Sequence, residues 1–142
     1  MAEAPAREIG DVTVGAFMSK PVRTVRPETT LEELTELMTV YDYNGFPVVD
    51  GDGVLQGLVT RTDLFKLYLE PSRGSAPPTA ATVATIMSRG VIVARPEERV
   101  VAAIALMVEH HVITIPVVTA TPKGPQVVGV ITRRDAAGAL KP

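Results

Sequence analysis

The chain has 142 residues, of which 46% are hydrophobic but only 4% aromatic, and it carries 14 basic and 16 acidic side chains and no cysteine. This length suits one compact module with an aliphatic core, and the lack of cysteine excludes disulfides, thiolate metal sites and thiol nucleophiles. A formal net charge of −2 argues against general nucleic-acid binding. The lack of cysteine fits a reducing cytoplasm, where we expect the protein. No apolar run is long enough to span a membrane, so we expect no membrane partner.

The chain opens with a small, polar arm (residues 1–10), a predicted short helix or turn (12–18) and an extended segment (22–25). A helix is expected to follow from Glu28. Its buried face is predicted from apolar residues spaced three or four positions apart, which are Leu31, Leu34, Met38 and Tyr41.

A β-hairpin is predicted after this helix. Asn44 and Gly45 are expected to end the helix because they permit a positive φ. Strands are predicted at residues 46–49 and 54–59, since the Asp-Gly-Asp-Gly sequence at 50–53 is typical of a hairpin turn.

The same plan then recurs in the second half of the chain. A helix at 64–69 and a turn-rich linker at 71–81 separate two repeats, predicted at 12–70 and 82–140. The aligned pairs are Met18-Ser19 with Met87-Ser88, Pro47-Val48-Val49 with Pro116-Val117-Val118, and Gly57 to Asp63 with Gly129 to Asp135. Two copies are too few for a solenoid, so the repeats predict a pseudo-symmetric module.

Each repeat ends with a Thr-x-x-Asp motif after an apolar strand, at Thr60/Asp63 and Thr132/Asp135. The Thr can cap the next helix, and the Asp three positions on can complete a capping box. The same carboxylate can accept hydrogen bonds from ribose hydroxyls, while the Thr hydroxyl and free helix N–H groups can hold phosphate. The motif is therefore compatible with capping alone and with a nucleotide site.

Three arginines, Arg61, Arg133 and Arg134, fall in the first turns of the helices after these motifs, where the helix dipole disfavours a cation. They are either solvated side chains or phosphate ligands. The adjacent His110 and His111 point to different faces, so no metal site is predicted. No phosphate-binding loop or nucleophile–base arrangement is present, and we expect neither an enzyme nor a catalytic cofactor.

The order of strand, helix, Pro-Val-Val strand, turn and Gly-h-h-Thr-x-x-Asp (h is apolar), present twice, resembles a tandem pair of cystathionine-β-synthase (CBS) domains, or Bateman module. The resemblance covers residues 12–140, so we expect no attached catalytic domain. It implies an α/β fold of two pseudo-symmetric repeats, each a small, mainly antiparallel sheet with two helices, packed sheet to sheet. It also implies a stand-alone sensor that binds AMP, ADP or ATP in clefts between the repeats.

In this family the Asp of one repeat holds the ribose while the adenine packs on strands of the other repeat. The resemblance thus implies one cleft formed by Thr60, Arg61, Asp63, Val91, Ile92, Ile113 and Thr114. It implies a second cleft formed by Thr132, Arg133, Arg134, Asp135, Val22, Arg23, Asn44 and Gly45. The two arginines beside Asp135 favour phosphorylated ligands in the second cleft.

One departure from the family pattern leaves the ligand open. Some nucleotide-binding relatives have His or Arg just before the Pro-Val-Val strand, where this chain has Asn44-Gly45 and Ile113-Thr114. Adenine nucleotides and a phosphate-free ligand such as S-adenosylmethionine both stay possible, as does a structural or oligomerisation module with empty clefts.

The second long helix, predicted at 100–108, indicates self-association. Its first apolar stripe is Val100, Ile104, Met107 and His111, and its second is Val101, Ala105 and Val108. Repeat 1 has Glu32, Glu33 and Glu36 where repeat 2 has Val101, Ala102 and Ala105. Because a helix that is apolar on both sides needs a second partner, we expect a homodimer, which would signal to an effector protein of unknown identity.

Overall fold

The computed structural model describes residues 9–20, 22–69 and 81–141. Most of the predicted polar arm and all but the last residue of the predicted linker lie outside the described residues. The chain divides into two compact units: a central unit, Arg23–Val91, and a terminal unit that combines Met1–Val22 with Ile92–Pro142.

Each unit contains one antiparallel two-stranded sheet accompanied by helices, so the predicted α/β class is confirmed. In chain order the elements are α1 (Val14–Phe17), α2 (Leu31–Val40), β1 (Gly45–Val49), β2 (Leu55–Thr60), α3 (Arg61–Tyr68), α4 (Val100–His110), β3 (Thr114–Thr121), β4 (Gly124–Thr132) and α5 (Arg133–Ala139), with 3-10 helices at Ile9–Asp11 and Val83–Thr85. No helix of the described chain has both the length and the apolar character needed to cross a membrane.

The compact units and the sequence repeats divide the chain differently. In the central unit, the backbone of Ser88 pairs with Leu58 of β2, with N···O distances of 2.9 Å in both directions. In the terminal unit, Ser19 pairs in the same way with Val130 of β4. The Met-Ser segment that starts each repeat therefore packs on the hairpin of the other repeat.

Gly57 of β2 is required by this exchange. A Cβ at this position would lie 2.6 Å from the carbonyl oxygen of Ser88, closer than side chains approach. At Gly129 of β4 the approach is looser, because a Cβ would lie 2.8 Å from the flexible Met18 Sδ and 3.1 Å from the Ser19 carbonyl oxygen. These glycines allow the exchanged segments to reach the strands.

Helix α2 begins at Leu31, three residues after the predicted start at Glu28, and it also ends differently. Thr30 is its N-cap and forms a capping box with Glu33, and the predicted stripe packs inward, with Leu34 fully buried. The helix stops at Val40 because Tyr41 adopts an extended conformation, with φ −109°. The predicted positive φ at Asn44 or Gly45 is wrong.

Gly45 instead lies in β1, where close packing explains the residue type. A Cβ there would lie 3.0 Å from the carbonyl oxygen of Val59 and 3.1 Å from Thr60 Cγ2. The positive φ that the hairpin needs occurs at Gly53, with φ 79°, in the turn that the sequence predicted.

Each unit has its own hydrophobic core. Phe46, Leu34 and Val59 are buried in the central unit, and Ile115 and Ile131 are buried in the terminal unit. Burial of one such side chain stabilises the fold by about 1.5–3 kcal/mol. These cores fix the two strand–helix junctions at which the Thr-x-x-Asp motifs lie.

Helix α4 is two residues longer than predicted, and one part of its predicted core stripe is wrong. Val100 and Ala103 are its buried residues, whereas His111 is exposed. His111 caps the helix in the left-handed conformation, with φ 56°, so it is no longer part of the helix. On the second predicted stripe, Val108 is 70% exposed and Val101 is 38% exposed.

Candidate functional site

The Thr-x-x-Asp motif of the central unit lies where β2 passes into α3. Thr60 Oγ1 accepts a hydrogen bond from the Asp63 backbone N–H at 3.3 Å. Asp63 Oδ2 in turn accepts from the Thr60 backbone N–H at 2.8 Å and from the Thr60 hydroxyl at 3.0 Å. The predicted capping box is confirmed. Capping uses only Oδ2, and within the described chain no group donates to Asp63 Oδ1.

The motif of the terminal unit has the same capping box at the junction of β4 and α5. Asp135 Oδ2 accepts from the Thr132 backbone N–H at 2.9 Å and from the Thr132 hydroxyl at 3.0 Å. Here a further donor is present: Ser19 Oγ lies 2.9 Å from Asp135 Oδ1 and 3.1 Å from Oδ2. The sequence analysis missed this residue, although its place in the repeated Met-Ser pair singled it out.

The residues before each Pro-Val-Val strand lie beside the motif of the same hairpin. In the central unit, the Arg61 backbone N–H donates to the Asn44 carbonyl at 2.9 Å, and Gly45 is the register partner of Thr60. In the terminal unit, Arg133 donates to the Ile113 carbonyl at the same distance.

Thr114 is the register partner of Thr132 and is 5% exposed. Each hairpin thus brings four of the predicted site residues together. They are Asn44, Gly45, Thr60 and Arg61 in the central unit, and Ile113, Thr114, Thr132 and Arg133 in the terminal unit. The cross-repeat sets implied by the family resemblance combine residues of different units, and they stay a prediction.

The predicted phosphate ligands differ in their surroundings. Arg61 Nη2 forms an ion pair with Asp42 at 3.1 Å and lies 3.5 Å from the Met38 carbonyl oxygen. Arg133 and Arg134 are exposed, and in the portion of the chain that the structure describes their side chains have no acidic partner. Within the described residues, the first turn of α5 therefore carries two arginines without an acidic partner, whereas the one arginine in the first turn of α3 is paired.

Arg133 also borders an apolar groove between α4 and α5 with a volume of about 470 Å³. The groove is lined by Ile104, Met107, Val108, His111, Val112, Ile113, Arg133, Ala136, Ala137 and Leu140. Across residues 9–20, 22–69 and 81–141, no three His, Cys, Asp or Glu side chains are grouped so as to hold a metal ion.

The remaining predicted residues are divided between the units. Arg23 and Val91 belong to the central unit, and Val22 and Ile92 to the terminal unit. The Arg23 guanidinium lies 4.3 Å from the centre of the Tyr41 ring, a cation–π contact, while Ile92 packs against the terminal core.

Comparison with known sequences identifies the family. The sequence profile of the CBS domain matches residues 10–70 and again residues 83–142. The chain belongs to the CBS-domain family. The homoserine O-acetyltransferase of Methanohalophilus mahii is 29% identical over 110 residues, which are 78% of this chain but only 21% of that enzyme. This chain thus spans about a fifth of that relative, and the match carries no evidence of acetyl transfer.

Solved structures of CBS-domain pairs resemble this CBS-domain chain over most of its length. The structure of CBSX2 in complex with AMP is 28% identical, with a TM-score of 0.77 over 90% of this chain and 95% of that one. The CBS domain pair of MJ0100, in complex with 5′-methylthioadenosine and S-adenosyl-L-methionine, is also 28% identical, with a TM-score of 0.75 over 89% of this chain and 94% of that one.

Proposed function

We propose that this CBS-domain chain is a regulatory module that binds an adenosine-containing ligand, with AMP, ADP and ATP as the first candidates. The strongest support for the proposal comes from the ligands in the two similar structures. One structure contains AMP, and the other contains 5′-methylthioadenosine and S-adenosyl-L-methionine. These molecules differ in charge and in their 5′ substituent. They share adenine and a ribose with two free hydroxyls, so adenosine is the chemistry to test.

The two motif aspartates are the proposed ribose ligands. An ionised carboxylate has about four lone-pair positions, and the capping box of Asp63 occupies two of them, both on Oδ2. Oδ1 is left to accept hydrogen bonds from the ribose diol. Asp135 has the same capping geometry and is the ribose ligand of the second site. Capping therefore holds each carboxylate in place without consuming it.

The adenine and the 5′ group would contact the other predicted residues. The adenine would pack against Val91, Ile92, Ile113 and Thr114 in one site and against Val22, Arg23, Asn44 and Gly45 in the other. Arg133 and Arg134, which lack an acidic partner in the described ranges, would meet the phosphates of a nucleotide near Asp135.

S-adenosylmethionine is the second candidate ligand, and one contact favours it at the Asp63 site. Asp42 neutralises Arg61 there, and Thr62 occupies the position that Arg134 occupies in the other motif. A site without an uncompensated cation gives a phosphate no charge partner, whereas it accepts the positively charged sulfonium group more readily.

The proposed role is regulatory rather than catalytic. We propose a cytoplasmic homodimer in which ligand binding changes the shape of the module and an effector protein responds. The apolar outer face of α4, where Val108 is 70% exposed, supports the dimer, because such a face is stabilised by a second copy.

Calorimetric titration with AMP, ATP and S-adenosylmethionine tests the ligand class. We expect micromolar-class affinity, about −8 kcal/mol, for at least one of the three. Asp63→Asn and Asp135→Asn should each weaken one site by roughly tenfold to a hundredfold, because hydrogen bonds to a charged group contribute about 1.5–3 kcal/mol.

Glu33→Gln is the matched control, since Thr30 and Glu33 form a capping box at which no ligand is proposed. It should alter stability and leave binding unchanged. If none of the three ligands binds, or if binding survives both Asn substitutions, the adenosine function is wrong and a structural module is the better description.

A further inference from the structure

The two motif carboxylates differ in how many acceptor positions they leave open. Asp63 accepts two hydrogen bonds, both from Thr60 and both on Oδ2. Asp135 accepts the equivalent two from Thr132 and a third from Ser19, whose hydroxyl lies closer to Oδ1 than to Oδ2. The oxygen that is open in the central unit is therefore partly occupied in the terminal unit.

This difference does not arise from the backbone. The Ser19 N–H donates to the Val130 carbonyl at 2.8 Å, and the Ser88 N–H donates to the Leu58 carbonyl at 2.9 Å. The two serines thus hold equivalent backbone positions on β4 and β2. Only the Ser19 hydroxyl reaches the motif carboxylate of its unit, and within the described residues the Ser88 hydroxyl has no hydrogen-bond partner.

We propose that Ser19 is a specificity-determining residue that makes the Asp135 site the weaker binder of a ribose diol. A ribose hydroxyl that donates to Asp135 Oδ1 must displace the Ser19 hydroxyl or share this oxygen with it. A ribose hydroxyl that donates to Asp63 Oδ1 meets an oxygen that accepts no other hydrogen bond within the described residues. The two sites would then fill at different ligand concentrations. This inference rests on the proposed function, since it assumes that both aspartates hold ribose.

The test uses AMP as the probe and proteins with one working site. Asp63→Asn leaves the Asp135 site, so Asp63→Asn is compared with the Asp63→Asn/Ser19→Ala double variant. Removal of the competing hydroxyl should tighten AMP binding by about threefold to tenfold, the equivalent of one net hydrogen bond. The matched control is Ser88→Ala in the Asp135→Asn background, which should leave the AMP affinity of the Asp63 site unchanged.

A second probe separates the ribose contact from a general structural effect. 2′,3′-Dideoxy-AMP lacks both ribose hydroxyls, so Ser19→Ala should not alter its affinity for the Asp135 site. Equal tightening for AMP and for the dideoxy analogue would overturn the inference, because the effect would then not act through the diol.

Unchanged or weaker AMP binding in the Ser19→Ala variant would also overturn it and would make Ser19 neutral or a helper of the site. These outcomes are distinct from failure of the proposed function. If the proposed function fails, AMP will not bind the wild-type protein at all, or neither Asn substitution will weaken AMP binding. The proposed role of Ser19 would then also be wrong.

Discussion

Arg61 donates a hydrogen bond to the Asp42 carboxylate, with Nη2 and Oδ1 3.1 Å apart, and among the described residues the other repeat has no equivalent of this ion pair. Arg133 aligns with Arg61, but His111 stands where Asp42 would be. His111 and Arg133 both border the groove between α4 and α5. The two arginines thus occupy matching helix positions in different surroundings, because Arg61 faces a carboxylate and Arg133 borders an apolar groove.

This difference predicts opposite effects of removing the two charges. Arg61→Met should destabilise the protein by up to about 1 kcal/mol, because Asp42 is almost fully exposed to solvent and such pairs contribute little. Arg133→Met should leave stability unchanged or raise it by a few tenths of a kcal/mol, because a cation at a helix N-terminus opposes the dipole. Urea denaturation at low and high salt measures both effects, and the Arg61→Met loss should shrink as salt increases. An equal loss in both variants would contradict the assigned environments.

The outer face of α4 predicts the effect of one added charge on assembly. Val101→Glu places a carboxylate where repeat 1 has Glu32, and the buried charge in a dimer interface should convert the homodimer into a monomer. Val40→Glu is the control, since it makes the same substitution at an exposed valine of α2, 71% exposed, where no interface is proposed. Sedimentation velocity distinguishes the two states. A wild-type monomer at micromolar concentration would show that the dimer proposal is wrong.

His111 predicts a stability gain from glycine. Its φ of 56° is a conformation that costs an L-residue with a Cβ about 1–2 kcal/mol, so His111→Gly should be more stable than His111→Ala by about 1 kcal/mol. The adjacent His110 is helical and is the control. There the order should reverse, with Ala more stable than Gly by up to about 1 kcal/mol. Thermal or urea unfolding of the four variants measures this, and the same order at both positions would contradict the helix end described here.

The capping box of α2 predicts a pH dependence. Glu33 Oε1 accepts from the Thr30 backbone N–H at 3.1 Å and from the Thr30 hydroxyl at 2.9 Å. These two bonds, of which the backbone bond has the larger effect, lower the pKa of Glu33 below its ordinary value. The pKa of Glu33 is lower in the folded protein than in the unfolded chain. The stabilisation by its carboxylate is therefore fully present above the pKa of the unfolded chain, and it is lost as the pH falls through the pKa of the folded protein. Between about pH 5 and pH 3, the free energy of unfolding should therefore fall less steeply in Glu33→Gln than in the wild type. If the free energy of unfolding depends on pH in the same way in both proteins, the Glu33 carboxylate does not contribute to stability as proposed.

The sequence alone determined the features that depend on neighbouring residues. The buried stripe of α2, the hairpin turn that contains Gly53 and the capping boxes at Thr60 and Thr132 all follow from patterns within a few positions. The repetition of these patterns in the same order identified the CBS family. Local patterns suffice here because a cap or an amphipathic stripe is formed by residues that are close in the chain.

Only the tertiary structure decided the contacts between distant segments. The left-handed end of α4 at His111 and the extended end of α2 at Tyr41 depend on how each helix leads into its hairpin. The Arg61–Asp42 pair joins the start of one helix to the end of another, and Ser19 reaches Asp135 across 116 positions. No local preference encodes such contacts, because they exist only after hydrophobic burial has brought the exchanged segment onto its strand.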